Sequence, residues 1–283
     1  NDDWHDTQTS WAPHPVLSTV SNTDFLQAVT MLATRKRHLN SSAERAPAIS
    51  AKREDVLKLE LEDYLEWRVP LREAFVWAST LLADWHVFAA RDVPYASQLV
   101  PLAAIRVVLG KDADLIGVRE RLSRWYWCGV LGELYGSATE SRFARDIEQV
   151  PAWARDESAP APRTVADASF VESRLLSLRT RNAAAYKGIA ALILSRGARD
   201  WMEDKAFDKV QYTDLAVDIH HVFPQKWCND QGIDEQRRES IVNKTTISAR
   251  TNRVIGGVAP SSYLATIETR AQIGGPVLDG LLA

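Results

Sequence analysis

A mainly α protein is predicted, with a helical N-terminal domain over residues 1–165 followed by an α+β domain over 166–283. Three observations predict it. Apolar residues recur at helical intervals through the first half; alternation replaces that spacing from about residue 212; and the aperiodic, Pro/Ala/Ser-rich stretch DESAPAPRTVADAS at 156–169 separates the two. At 283 residues the chain is long enough for two domains that each bury a core.

The elements follow in order. SNTDFLQAVTMLATRKRHLN opens on capping residues and closes on cations, which suits the dipole of one helix. EDVLKLELEDYLEWRVPLREAFVWASTLLADWHVF holds two helical patterns, the second entered through Pro70, with Leu71, Phe75, Leu82 and Trp85 on its apolar stripe. SQLVPLAAIRVVLG, with Pro101 early and Gly110 at its end, is punctuated as a short buried helix. LIGVRERLSRWYWCGVLGELYG and SRFARDIEQVPAWARD continue the helical spacing. Eight of the ten tryptophans precede residue 160 at such spacing, which marks them as core packing rather than stacking platforms for a cofactor or base.

Beyond the linker, RNAAAYKGIAALILSRGARDW reads as one helix capped by Asn182 and stopped at Gly197. From about Tyr212 the period becomes two: Leu215, Val217, Ile219 and His221 share one parity, Asp214, Asp218 and His220 the other. That is a short strand running into a turn at Pro224. TTIS at 245–248 suits a second strand, ARTNRVIGG a short helix ending at its glycines, and APSSYLATIETR another helix with Pro260 near its start.

Composition excludes several classes. With 46% hydrophobic and 25% charged residues, and no apolar run approaching bilayer length, membrane insertion is not expected. No signal-peptide pattern opens the chain, and Cys128 and Cys228 stand far apart without a CxxC pair, which argues against a zinc knuckle or a disulfide framework and fits a reducing, cytoplasmic setting. The opening NDDWHD, without a methionine, and the closing VLDGLLA, where an apolar periodicity is just starting, read as cuts in something longer. Residues 169–283 carry 15 Lys+Arg against 13 Asp+Glu, net +2, while 1–168 carry 19 against 24, net −5. Such a balance permits a nucleic-acid partner for the second half without requiring one.

The sharpest chemistry lies in DIHHVFPQKW, 218–227. His5 and His86 are single histidines beside tryptophans and read as structural; His220 and His221 are adjacent, behind Asp218. Neighbours on a strand point to opposite sides, so the two imidazoles are expected to do different jobs. A phosphodiester hydrolase needs a base to deprotonate water and a divalent ion to stabilise the leaving oxygen. One histidine suits the base near neutral pH, and the other, with an amide oxygen, can hold the ion. Asn243 in SIVNKTT and Asn252 in ARTNRVIGG supply amides, the first placed to fix a loop by backbone hydrogen bonds, the second to ligate through its carbonyl oxygen. Taken without their neighbours, Asn243 is an ordinary turn residue and Asn252 a helix-surface amide.

Together, DIHHVFPQKW…SIVNKTTISARTNRVIGG resembles the HNH nuclease motif of the ββα-metal fold, in the form found in the C-terminal nuclease half of GmrSD-type restriction proteins. The order and spacing of HHVFPQ, VNK and TNR are also similar to the HNH domain of RNA-guided CRISPR nucleases. The motif core covers about 212–257. The resemblance implies that His221 is the general base, His220 the first metal ligand, Asn243 the organiser of the base loop and Asn252 the second ligand, with Asp218 orienting or assisting His220. It implies DNA cleavage, by nicking or by cutting both strands, with Mg²⁺ or Mn²⁺. His220 stands where the family often has a carboxylate, which leaves room for Ni²⁺ or Zn²⁺.

DFLQAVTMLAT, KREDVLKLELEDY, ARDVPYASQLVPLAAI and RNAAAYKGIAALIL look like the helical and pre-nuclease segments of bacterial anti-phage defence proteins of the SspE-like group. Those combine an N-terminal ParB-like nucleotide-hydrolysing domain with a C-terminal HNH domain and work beside DNA phosphorothioate modification. The resemblance therefore implies phage or modification-dependent DNA as partner. No phosphate-cradling glycine loop occurs here, so nucleotide hydrolysis is expected of a domain outside this chain.

Around the motif, Arg253 follows Asn252 directly and is a candidate to neutralise phosphate charge at the reacting site; Lys244, Arg250 and Lys187 are candidate DNA contacts, each balanced by its reading as a solvated or packing side chain. Tyr186 is weighed the same way, and Cys228 reads as a small buried apolar residue. Two other functions compete: a DNA-binding or modification-sensing module whose HNH unit clamps without cutting, and an HNH nuclease acting on RNA.

Overall fold

The computed structural model describes residues 2–43, 46–203, 205–214 and 217–282, without the side chains at 211, 213, 214, 218 and 282. The chain is mainly helical with one small two-stranded sheet near its C-terminal end. It divides into two compact units: 1–84 with 89–169, and 85–88 with 170–283.

The first unit contains α1 (Asp2–Trp11), α2 (Asn22–Leu39), α3 (Arg53–Val56), α4 (Leu61–Asp84), α5 (Leu99–Leu109), α6 (Ile116–Leu131), α7 (Thr139–Arg155) and α8 (Arg163–Ala166). Helix α5 is its axis: Leu99, Val100, Leu102, Ala103, Ala104 and Ile105 are all buried, so apolar residues surround it, as a central helix packed by α2, α4 and α7 requires. Helix α2 starts in a capping box, with Ser21 Oγ accepting from Asp24 N at 3.2 Å and Asp24 Oδ2 accepting from Ser21 N at 2.8 Å.

One expectation fails here for a physical reason. Pro70 opens no second helix: α4 runs straight through it. The carboxylate of Asp3 takes Tyr64 and Arg68 from one side of the proline and Arg72 from the other, which clamps both halves to one axis, and Pro70 itself is exposed, so the carbonyl freed one turn earlier can meet water. The stretch 156–169 ends where the two units divide and belongs to the first. It forms α8, and Thr164 donates to the buried Asp146 at 2.7 Å beside Trp125 (3.1 Å) and Tyr135 (2.5 Å), so the segment is fastened to the first unit.

The second unit comprises α9 (Arg174–Ser177), α10 (Ala184–Ser195), α11 (Lys209–Asp214), β1 (Asp218–His221), α12 (Gln225–Asp230), α13 (Glu235–Glu239), β2 (Lys244–Ile247), α14 (Ala249–Ile255), α15 (Pro260–Ala271) and α16 (Gly275–Leu282). Residues 85–88 join it: Phe88 packs its ring on Tyr212 at 5.2 Å, so Trp85 leaves the first unit's stripe. The expected strand from Tyr212 is shorter, because 209–214 are helical; Leu215 and Ala216 lie outside the described residues. Asn182 does not cap α10, whose N-cap is Ala183, while Gly197, at φ +86, follows its end as expected. Helices α12 and α13 fall where the spacing had suggested no element, and α16 lies where an apolar periodicity was just starting.

The sheet is antiparallel, pairing Asp218 with Ile247, Ile219 with Thr246, His220 with Thr245 and His221 with Lys244. Directly paired residues share a face, and successive residues along a strand change it. His221, Lys244 and Ile219 therefore face one side, where Ile219 packs against the cluster of Leu178, Ala185, Tyr186 and Ile241. His220 and Ile247 face the other, where Ile247 packs with Ile255 of α14, Tyr263 and Ile267 of α15, Trp201 and Leu278. Among the described residues no helix is long and apolar enough to cross a membrane.

Candidate active site

His221 ends β1, and its Nε2 stands 3.1 Å from Glu239 Oε2 at the end of α13. The same oxygen accepts from Lys244 Nζ at 3.2 Å, and Glu239 Oε1 accepts from Arg238 Nε at 2.9 Å. Burial by itself would raise the Glu239 carboxyl; donation from Arg238, Lys244 and His221 outweighs that and brings it down to about 2. Glu239 is thus a carboxylate at any pH near neutrality and can only accept. The proton between it and His221 must lie on Nε2, which leaves Nδ1 of the neutral imidazole as the nitrogen with a lone pair.

Asn243 closes the 3₁₀ turn before β2 and is 7% exposed. Its Oδ1 accepts from Phe223 N at 2.8 Å, while its Nδ2 donates to Phe223 O at 3.1 Å and to Arg238 O at 2.9 Å. One amide therefore ties the loop after His221 to the helix end that carries Glu239, and only an amide, with both donors and an acceptor, can make all three bonds. The loop is held again by Tyr263 Oη donating to Val222 O at 2.8 Å and by the buried Cys228 thiol donating to Phe223 O at 3.3 Å. This is the backbone-fixing task expected of Asn243.

His220 is half-buried on the sheet face covered by α14, and Asn252, also half-buried, lies on α14. That helix is fixed at its N-terminus by a buried residue absent from the expected set. Asp200 Oδ2 accepts from Ser248 N at 2.8 Å, and Asp200 Oδ1 accepts from Thr251 Oγ1 at 2.7 Å and Met202 N at 3.0 Å. Burial opposes its charge, but the hydrogen bonds from Thr251 and Ser248 keep its carboxyl below the usual carboxylate range, as suits an anion at a helix N-terminus. The side chain of Asp218 lies outside the described residues, and among those described no three His, Cys, Asp or Glu side chains gather as a metal cluster.

The candidate DNA contacts divide. The Lys244 side chain is only 8% exposed, committed to Glu239, with Nζ 5.7 Å from the Tyr186 ring centre; a phosphate reaches it only by displacing Glu239, so it belongs to the His221 network rather than to a binding face. Tyr186 is fully buried core and Lys187 half-buried on α10. Arg250 is exposed but pairs with Glu203 at 2.9 Å, and Arg253 is exposed on α14. Glu239 has no signal in the sequence beyond being a carboxylate four residues ahead of Asn243.

No protein-family model matches the chain. Over 149 residues, 51% of its length, it is 28% identical to an uncharacterised protein of Methanocaldococcus jannaschii, and the match spans 25% of that relative.

Proposed function

We propose that this chain is a metal-dependent DNA endonuclease of the HNH, ββα-metal type, the effector part of a modification-linked restriction or anti-phage defence protein. The observation that carries the reading is the His221–Glu239 pair, set on a strand whose following loop is pinned by Asn243. An imidazole whose Nε2 is held by a fixed carboxylate is oriented to use Nδ1 as a base, and the carboxylate stabilises the imidazolium once formed.

His221 Nδ1 takes a proton from water as the water oxygen bonds to phosphorus, and the bond from phosphorus to the leaving oxygen breaks. Glu239 holds the imidazole and its positive charge without itself taking the proton. Asn243 keeps the base at the end of β1 by bracing the loop that follows it at Phe223 against the helix end at Arg238. His220 and Asn252 are the residues that would hold a divalent ion, with Asp218, which has the same parity as His220 in the sequence, as its helper; one imidazole and one amide leave most coordination positions to water and phosphate oxygens, which suits Mg²⁺ or Mn²⁺. Such an ion, when bound, supplies stabilisation of the leaving oxygen and of the charge on the phosphate.

The test is conversion of supercoiled plasmid to open circles with Mg²⁺ or Mn²⁺ and with EDTA, for wild type and His221→Ala. Metal-dependent nicking that His221→Ala lowers by roughly 10²-fold or more, with the fold intact, is expected of a lost general base. Equal nicking by the variant sinks the assignment of His221 as the base; a gel shift without cleavage favours a clamp; cleavage of RNA alone moves the reading to an RNA nuclease.

A further inference from the structure

Away from the His221 network, Met202, Arg250, Arg253, Val254 and Arg270 line a groove of about 330 Å³ in the second unit. Arg250 and Arg253, three apart, share a face of α14, and Arg270 comes from the last turn of α15. Glu203 partly neutralises Arg250, but among the described residues no carboxylate stands within ion-pair distance of Arg253 or Arg270. Several other cations of this unit are matched: Lys226 with Asp230, Arg237 with Asp234, Arg238 and Lys244 with Glu239. Guanidiniums gathered in a concavity without counter-charge repel one another, and an anion entering between them relieves that repulsion. Planar guanidiniums bind phosphate oxygens in bidentate fashion, and Met202 and Val254 offer an apolar wall on which a sugar can rest. An anion with a sugar attached is a sugar–phosphate backbone.

We propose that this groove is a subsite for the phosphodiester backbone of duplex DNA, in which Arg253 and Arg270 each engage a phosphate. The proposal rests on the nuclease reading for its choice of DNA and adds a contact, Arg270, that lies beyond the motif. Arg253 thereby acts in holding the strand rather than on the reacting atoms, and its place one residue after Asn252 sets that strand beside the candidate site.

The test is fluorescence anisotropy of labelled duplex DNA with the whole 283-residue chain in EDTA, across a salt series. Each neutralised phosphate contributes about 0.9 to the slope of log K against log salt, so Arg253→Gln/Arg270→Gln should flatten it by about 1.8 and weaken binding up to roughly 60-fold at about 0.1 M salt, with little difference near 1 M. Arg253→Lys/Arg270→Lys, which keeps the charge, should keep most of the slope. Arg237→Gln, which removes an exposed cation from α13, should change it little. Wild-type affinity and slope in the Gln double variant, an equal loss in Arg237→Gln, or a loss confined to an RNA probe overturns the subsite, with circular dichroism melts showing that the variants are folded. Binding is read without metal or cleavage, so a groove-dependent slope in a chain that never nicks plasmid supports the subsite while sinking the nuclease.

Discussion

Replacing Glu239 with Gln tests the centre of the candidate site on two independent readouts. The carboxylate accepts from Arg238, Lys244 and His221 at 2.9, 3.2 and 3.1 Å. Hydrogen bonds to charged groups contribute roughly 1.5–3 kcal/mol each, and a neutral amide oxygen retains part of that while its NH₂ faces donors it cannot satisfy, so a destabilisation of about 2–3 kcal/mol is expected. The depressed carboxyl leads to a similar figure: lowering it from 4.5 to about 2 is worth about 3 kcal/mol before solvent screening is discounted. Because the folded-state value is depressed, this stability is fully present above about 4.5 and is lost as pH falls toward 2. Urea unfolding of both proteins from pH 7 to pH 2 should therefore show a gap at neutrality that closes through that window. In plasmid nicking, loss of the group that fixes the imidazole should lower kcat by roughly 10²–10⁴ with KM little changed. An unchanged urea midpoint at pH 7 together with unchanged kcat would falsify the claim that Glu239 organises this site.

Asn243→Ala removes three hydrogen bonds from a buried side chain and leaves Phe223 N without its acceptor, at a cost of roughly 2–4 kcal/mol read as a shift in the urea midpoint; a shift below about 0.5 kcal/mol refutes the brace. Asp200→Ala strips Ser248 N, Thr251 Oγ1 and Met202 N of their shared acceptor and should cost roughly 3 kcal/mol, with early hydrogen exchange in α14 as its local signature; protection equal to wild type counts against the cap. Pro70→Ala restores a helical N–H in α4 and should raise stability by about 1–2 kcal/mol, the ~3 kcal/mol helix cost of proline less the entropy it removes from the unfolded chain; a lower melting temperature would show that the helix needs its proline there.

What was legible beforehand follows from how local each feature is. That His220 and His221 point to opposite sides needs only the two-residue period of a strand, and the observed register places them on opposite faces. Backbone hydrogen bonds from Asn243 were expected only with the motif around it, since alone it reads as an ordinary turn residue. Lys244 shows the limit: next to the motif it looked like a phosphate contact, yet it pairs across the ladder with His221 and turns onto Glu239, a partner supplied by another element. Pro70 shows it again, since local preference favours a helix start while contacts from Asp3, far away in sequence, hold one continuous rod.

By itself, then, the sequence determined the helical character of the chain, the two short strands and the histidine–asparagine set, because periodicity and side-chain chemistry act over a few residues. Only the tertiary structure decided that Glu239 holds His221, that Asp200 sets the helix carrying Asn252, and that Arg270 joins Arg250 and Arg253 in one groove. Those are meetings between elements far apart along the chain, and a carboxylate or guanidinium looks the same in sequence whether it ends in water or beside another element.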